Sequence, residues 1–485
     1  MKRPEESMPQ IQLSILSILC LLLIGCGASP ARNAIGGATA TPPRPNIIYI
    51  MADELGYHEL SIMGHPHLKT PNIDQMAADG MRFTHAMAGS SLCAPTRCVL
   101  MTGKHGGHTS VRTNGGGTPL RAGETTIASV LQQAGYATGG FGKWGCGGRG
   151  STGVPEDHGF DVFFGYYDQV HAHSYYPPYL IRNSEEVPLP GNNGGRSGQT
   201  YSHYQIIDAA RQFIRDHADG PFFCYMPVTP PHGLFDLPED DPSWALFRDQ
   251  DWPREARRYA AMVHMLDRQV GELFTLLEEL AIEHNTIVIF CGDNGGQDYF
   301  RSKKTPRGFH GPNVNPRTGV EFRGQKGTLY EGGLRIPAVV RWPGQIAAGQ
   351  VSDHQWYFPD MMPTLLGLAG LQTPADTDGI SIEKELLGHP DEQLDHQYMY
   401  WELGARRAVR MNDWKAIRPA RGKPWALYQL STDPSESHDL SQQQPQILEQ
   451  LQAYAKEAHQ PAQEGSYSDT TLHQRDRQAK QGFNK

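Results

Sequence analysis

The chain has 485 residues, 38% of them hydrophobic, a size and composition that fit one large globular domain with a smaller one beside it. Its formal net charge of −9 argues against a nucleic-acid partner, whose phosphates select basic surfaces. No internal repeat is apparent.

Lys2 and Arg3 precede an apolar run from about Ile11 to Ile24, too short and wrongly flanked for a membrane span, so residues 1–25 read as an export signal. The run ends Leu23-Ile24-Gly25-Cys26, which resembles the bacterial lipobox, whose cysteine is lipidated and becomes the new N-terminus. A plain signal peptide with an incidental cysteine is the alternative. Residues 26–45, rich in alanine, proline, threonine and glycine, then read as a flexible tether. The expected product is exported to the periplasm or cell surface and held to a bacterial membrane by a lipid on Cys26.

The first apolar run of the body, Asn46 to Ala52, reads as a buried strand and leads into Asp53-Glu54. A helix starts at Thr70-Pro71 and stops at Gly80. Cys93-Ala94-Pro95-Thr96-Arg97 follows; Pro95 suits the first turn of a helix, which places Cys93 at or just before a helix N-terminus. There the free N–H groups, the helix dipole and the planar fork of Arg97 would all favour an anion. A buried core cysteine at a helix start is the bland alternative. A helix over Glu124–Ala134, closed by Gly135, precedes a strand over Tyr136–Phe141 and then Lys143.

Asp168 to Tyr176 carries histidines and aromatics that could stack on a sugar ring or simply pack at a domain edge. A helix over Ser202–His217, a strand over Pro221–Val228 leading to His232, a long helix over Arg254–Glu283 and a strand over Thr286–Cys291 leading to Asp293-Asn294 complete the alternation. This predicts a doubly wound, mostly parallel α/β sheet flanked by helices across residues 46–392. In such sheets ligands bind beyond the carboxyl ends of the strands, so Asp53, Lys143, His232 and Asp293 should converge. Asp53, Glu54, Asp293 and Asn294 offer only oxygen donors, a set that suits Ca²⁺ better than Mg²⁺ and argues against zinc, although such pairs also simply cap turns.

Between Arg301 and Lys326 lie Arg301, Lys303, Lys304, Arg307, Arg317, Arg323 and Lys326 against the single acid Glu321. This loop could draw a polyanion to the site or be a solvated surface loop. Residues 393–462 read as a smaller subdomain, an antiparallel meander (Tyr398–Glu402, Ala408–Arg410, Trp414–Arg418, Ala426–Leu430) and a helix over Gln446–Ala458. Residues 463–485 read as a loose polar tail. Of the seven cysteines, Cys224 and Cys291 lie in core strands and read as buried thiols, and Cys146 stands close to Lys143.

From about Asn46 to about Leu440 the chain resembles the type I, formylglycine-dependent sulfatases of the alkaline phosphatase-like superfamily. The resemblance is carried by Asp53, the Cys93–Arg97 signature running into Thr102-Gly103-Lys104, Gly142-Lys143-Trp144, Pro230-Pro231-His232, Gly292-Asp293-Asn294-Gly295 and Gly324-Gln325-Lys326-Gly327, in the family's order. It implies that a formylglycine-generating maturase oxidises Cys93, and that Asp53, Glu54, residue 93, Asp293 and Asn294 hold Ca²⁺. It further implies that Arg97, Lys143, His232 and Lys326 serve catalysis, and that the substrate is a sulfated carbohydrate, with galacto-configured sugars favoured. Two positions depart from the family pattern. Glu54 stands where an aspartate is common, and Gly145 where many relatives carry a histidine that handles the nucleophile's hydroxyl proton. Phosphoester or phosphonate-ester hydrolysis, or an unmatured glycan-binding pseudoenzyme, are the alternatives.

Overall fold

The computed structural model describes residues 44–115, 118–462 and 470–480. The export signal, the Cys26 lipobox and the tether up to residue 43 lie outside the described residues, as do tail residues 463–469 and 481–485.

The first apolar run forms β1 (Asn46–Ala52), and all seven residues are buried. Alternation along the strand divides it between two cores. Ile47, Tyr49 and Met51 pack on one side of the sheet and Ile48, Ile50 and Ala52 on the other. A strand covered on both faces needs an unbroken apolar run, which is why this segment reads as continuous and not alternating.

Around β1 stand β2 (Ala137–Lys143), β3 (Val162–Tyr166), β4 (Phe222–Met226) and β5 (Thr286–Gly292), in the spatial order β5-β1-β4-β2-β3 and all parallel. A sixth strand, β6 (Ala338–Arg341), runs antiparallel beside β5. Among the described residues the sheet has ten strands. On one face lies α1 (Cys93–Thr102), contributing Ala94, Cys98, Val99 and Met101 to the core. On the other lie α2 (Ser202–Asp216) and α3 (Arg254–Glu279), through Ile206, Ala210, Leu266 and Val270. The doubly wound α/β expectation holds.

Boundaries move where local chemistry intervenes. The helix expected from Glu124 spans Ile127–Gln133, because Thr126 caps it, accepting from Ser129 N–H at 3.0 Å in a capping box, while Glu124 takes the Ser110 hydroxyl at 2.6 Å. The long helix stops at Glu279, short of Glu283, and Ala281 beyond it turns left-handed at φ 55°. In β2 the pairing continues to Lys143, opposite Tyr166, two residues past the expected end. That extension puts the lysine at the last rung of the strand.

The C-terminal meander is β7 (Met399–Leu403), β8 (Arg406–Met411), β9 (Trp414–Arg418) and β10 (Ala426–Gln429), antiparallel in chain order. A two-residue turn with Asn412 at φ 51° joins β8 to β9, as an Asn-Asp pair permits. The helix α4 (Pro445–Glu457) covers the sheet through Leu451 and Ala455. The tail expectation needs correction. Thr471–Gln478 forms a further helix, α5, capped by the Thr470 side chain on His473 N–H, with His473 and Asp476 buried. Polar anchors hold it, which is why its composition reads as loose: Asp476 pairs with Arg149 and accepts from the Tyr179 hydroxyl at 2.9 Å, and His473 Nε2 lies 2.8 Å from Asp168 Oδ2. Gly148 lies flat beneath the His473 ring, where a Cβ would come within 2.4 Å of ring carbon.

Candidate active site

The carboxyl ends of four parallel strands deliver the predicted side chains to one point. β1 runs into Asp53 and Glu54, β2 ends in Lys143, β4 leads by a short loop to His232, and β5 runs into Asp293 and Asn294. Cys93 is the first residue of α1, with Pro95 in the opening turn and extended Leu92 before it. The amide-rich, dipole-positive end of that helix therefore faces the strand ends.

The floor of the site is a closed set of charges. Cys93 Sγ donates to Asp53 Oδ1 at 3.4 Å, and Lys143 Nζ donates to Asp53 Oδ2 at 2.6 Å. Arg97 spans the two aspartates, its Nη2 lying 2.9 Å from Asp293 Oδ2 and 3.5 Å from Asp53 Oδ2, while Nη1 donates to the Lys143 carbonyl at 2.6 Å. The Asp53, Arg97, Lys143 and Asp293 side chains have no exposed surface.

Glu54 forms the wall above. Its backbone is left-handed, φ 63°, a conformation that costs a non-glycine residue about 1–2 kcal/mol. The Asp293 carboxylate holds this turn by accepting Glu54 N–H at 3.0 Å. The Glu54 carboxylate pairs with His232 Nε2 at 3.0 Å and with Lys326 Nζ, and accepts from the Tyr299 hydroxyl. Lys326 Nζ also donates to Cys93 Sγ at 3.2 Å. The His232 ring stacks on His173 at 4.5 Å, and Tyr175 donates to the His232 carbonyl at 2.9 Å.

Burial works against charge at all of these groups, and the neighbours decide the outcome. At Asp53 burial is outweighed by Lys143, His232 and Arg97, which hold the carboxyl well below the usual range. Asp293 goes the other way, pushed up to about 7 by burial and by the Asp53 carboxylate against the pull of Arg97. Burial pulls His232 down to about 4 and Lys326 down to about 8, with Asp53 opposing in both cases. Burial and Asp53 push the Cys93 thiol well up.

Asp53, Glu54, Asp293 and Asn294 offer the oxygen donors that a hard divalent cation takes, while the cluster around Cys93 also holds a thiol and an imidazole. Ligand atoms of Asp53, Glu54, Cys93 and His232 lie within 4.8 Å of one another. Asn294 Oδ1 is buried with no hydrogen-bond partner among the described residues, although its Nδ2 donates to the Gly295 carbonyl at 3.0 Å. An orphaned acceptor beside two mutually repelling carboxylates is what a cation would relieve.

All nine predicted positions thus fall in one locality or in direct contact with it. Tyr299 was not legible, since nothing in its local sequence marks a tyrosine that reaches Glu54. The Asp168–Tyr176 stretch does reach the site, through His173 and Tyr175. The basic loop is neutralised in part. Arg301 and Arg307 both pair with Asp298, which precedes the loop, Arg307 also pairs with Glu321, and Arg323 donates to the Glu436 carbonyl. Lys303 and Lys304 remain exposed. Cys93, Cys98, Cys146, Cys224 and Cys291 are buried free thiols.

The family model described as Sulfatase matches residues 45–371, and that described as N-sulphoglucosamine sulphohydrolase, C-terminal, matches residues 323–461. The chain belongs to the sulfatase family. This sulfatase is 32% identical over 410 residues to the N-acetylgalactosamine-6-sulfatase of Canis lupus familiaris, covering 78% of this chain and 73% of the relative. It is 32% identical over 465 residues to arylsulfatase A of Homo sapiens, covering 84% and 85%. Among solved structures, Ps i-CgsB in complex with k-i-k-neocarrahexaose superposes with a TM-score of 0.73 at 25% identity, covering 90% of this sulfatase and 97% of that chain. The sulfatase is accordingly a sulfuric ester hydrolase on the alkaline phosphatase-like fold. No described helix is long and apolar enough to cross a membrane.

Proposed function

We propose that this sulfatase removes sulfate from a sulfated carbohydrate, with formylglycine made from Cys93 as nucleophile and Ca²⁺ held by Asp53, Glu54, residue 93, Asp293 and Asn294. The observation that supports it most is the placement of Cys93 at the start of α1, within 3.5 Å of Asp53 and Lys326 and backed by Arg97. When bound, the cation supplies Lewis-acid stabilisation of an oxyanion at position 93 and of sulfate oxygens. As a hydrated aldehyde, residue 93 supplies one hydroxyl to attack sulfur and a second whose collapse to the carbonyl releases sulfate, so water is the second substrate.

The chain's own residues divide by exposure. Arg97 and Lys143, with no exposed surface, neutralise charge on the floor. His232 and Lys326, with side chains 12% and 13% exposed, stand at the rim where the departing alcohol must leave. Either can hold a sulfate oxygen and one can protonate the leaving oxygen. The relatives' names, an N-acetylgalactosamine-6-sulfatase and a structure in complex with k-i-k-neocarrahexaose, favour a galacto-configured sugar.

The deciding experiment joins mass analysis to turnover. Protein made with a formylglycine-generating maturase should show a loss of about 18 Da on the peptide containing position 93, in line with thiol-to-aldehyde oxidation. It should desulfate galactose or N-acetylgalactosamine sulfates, hydrolyse nitrophenyl sulfate faster than nitrophenyl phosphate, and lose activity to a calcium chelator. Faster phosphate turnover, or an unmodified Cys93 in active protein, would overturn the reading. Export on a lipidated Cys26 is part of the same proposal, and Cys26→Ser should shift the protein from the membrane to the soluble fraction.

A further inference from the structure

Gly145 lies two residues beyond Lys143 with φ +80°, in the left-handed region. A Cβ built there would stand 1.8 Å from Gln169 Nε2 and 3.4 Å from Arg97 Cδ. The Gln169 carboxamide therefore fills the space into which any side chain at position 145 would have to grow, beside the stem of the arginine that spans Asp53 and Asp293.

Gln169 is 4% exposed, and neither its Oε1 nor its Nε2 has a hydrogen-bond partner among the described residues. Arg97 Nε is likewise buried and unpartnered. A buried amide with both polar atoms unpartnered calls for an ordered water. A cavity of about 20 Å³ is lined by Ala94, Gly145, Cys146, Gln169 and His473, enough for about one water. Ala94 is the residue next to the nucleophile.

The segment carrying Gln169 is fixed from both sides. Gly145 N–H donates to the Tyr167 carbonyl at 3.0 Å, and Trp144 N–H to the Tyr166 carbonyl at 2.8 Å. Asp168 accepts Val170 N–H at 2.7 Å through one oxygen and bonds His473 of α5 at 2.8 Å through the other. The unpartnered amide is thus held in place by its neighbours.

We propose that Gln169 is a positioning residue of the sulfatase reaction: its carboxamide holds one water in this cavity beside Ala94 and, standing where a side chain at 145 would go, packs against the Arg97 stem, and so fixes the guanidinium that steadies the reacting oxygens. An amide neither gains nor loses a proton near neutral pH, so its part is orientation and not proton transfer. The inference rests on the sulfate-ester reading above, and the two fail differently. A matured wild-type enzyme that turns over no sulfate ester sinks that reading, and with it the reaction Gln169 would serve, whereas wild-type turnover in Gln169→Leu sinks this inference alone.

With matured wild-type enzyme active on its sulfate ester, Gln169→Leu keeps the volume and removes both hydrogen-bonding atoms. It should lower kcat 10- to 100-fold with KM changed less than about threefold, the pattern of an interaction made in the transition state. Gln169→Glu, isosteric but ionisable, should add an ionisation to the kcat–pH profile. Gly145→Ala should lose activity through the clash, and Gly145→Ala/Gln169→Ala should lose less than the sum of the two single variants. Wild-type kcat in Gln169→Leu, an unaltered pH profile in Gln169→Glu, or strict additivity in the double variant would each overturn the proposal. If the leucine variant fails to fold, the glutamate profile decides.

Discussion

The guanidinium of Arg97 is the residue on which the charge balance turns. It is buried between Asp53 and Asp293, and burial opposes its charge while the two carboxylates hold its pKa up. Lysine offers a point charge and no fork, so Arg97→Lys can satisfy one aspartate but not both. The expected result is a folded protein with kcat lowered about 10²- to 10³-fold, the range for losing one preorganised charge-stabilising donor; steady-state kinetics on a matured sample checks it.

Glu59, five residues past Glu54, is a second residue with a measurable signature. Burial pushes its carboxyl up to about 7, with Tyr259 and Gly56 N–H pulling the other way. A folded-state value above the ordinary one means the folded protein binds the extra proton. Stability is then full below pH ~4.5 and is lost as pH rises through about 7. Glu59→Gln should remove that fall. Urea unfolding at pH 5 and pH 8 should show the difference between variant and wild type moving in the variant's favour by about 2–3 kcal/mol. At this scale legibility followed the chain: Asp53, Cys93, Arg97, Lys143 and Asp293 sit in short local patterns, whereas Tyr299 and Gln169 owe their place to contacts across 245 and 24 positions, which no local pattern carries.

Among elements, α5 is the one that composition concealed. Its buried face is built from His473 and Asp476, not from aliphatic residues, so hydrophobic periodicity had nothing to detect. The parallel strands were legible for the opposite reason: Asn46–Ala52 and Thr286–Gly292 are buried throughout and carry continuous apolar runs. Asp476 has no exposed surface and pairs with Arg149. Asp476→Ala leaves that guanidinium to Glu186 alone and the Tyr179 hydroxyl without its acceptor, and should destabilise the protein by about 1–3 kcal/mol in chemical denaturation. It should also loosen the Asp168–Gln169 segment, visible as faster amide exchange there; unchanged exchange would mean that α5 braces nothing beyond itself.

At the scale of the whole molecule, the antiparallel C-terminal sheet is fastened to the central body by a buried cation. Lys415 of β9 has no exposed surface and lies 2.9 Å from Glu331 and 2.9 Å from Glu436. Glu331 belongs to the body just before β6, so the lysine ties the two sheets through opposite charge. Lys415→Met would strand the buried Glu436 carboxylate and leave Glu331 to Arg335 alone, and should cost about 3–5 kcal/mol, read as a lower denaturation midpoint, with Lys415→Met/Glu331→Gln recovering part of the loss.

One feature of the active site sets a clock on the protein's manufacture. Cys93 has no surface open to solvent, buried in the first turn of α1 against the strand ends. Under the proposed maturation, an oxidising enzyme would therefore reach that thiol only before the chain has folded. Batches made where such a partner is scarce should consist of two permanent populations, one competent and one inert, and their ratio should stay fixed on storage however much maturase is later added to the folded stock.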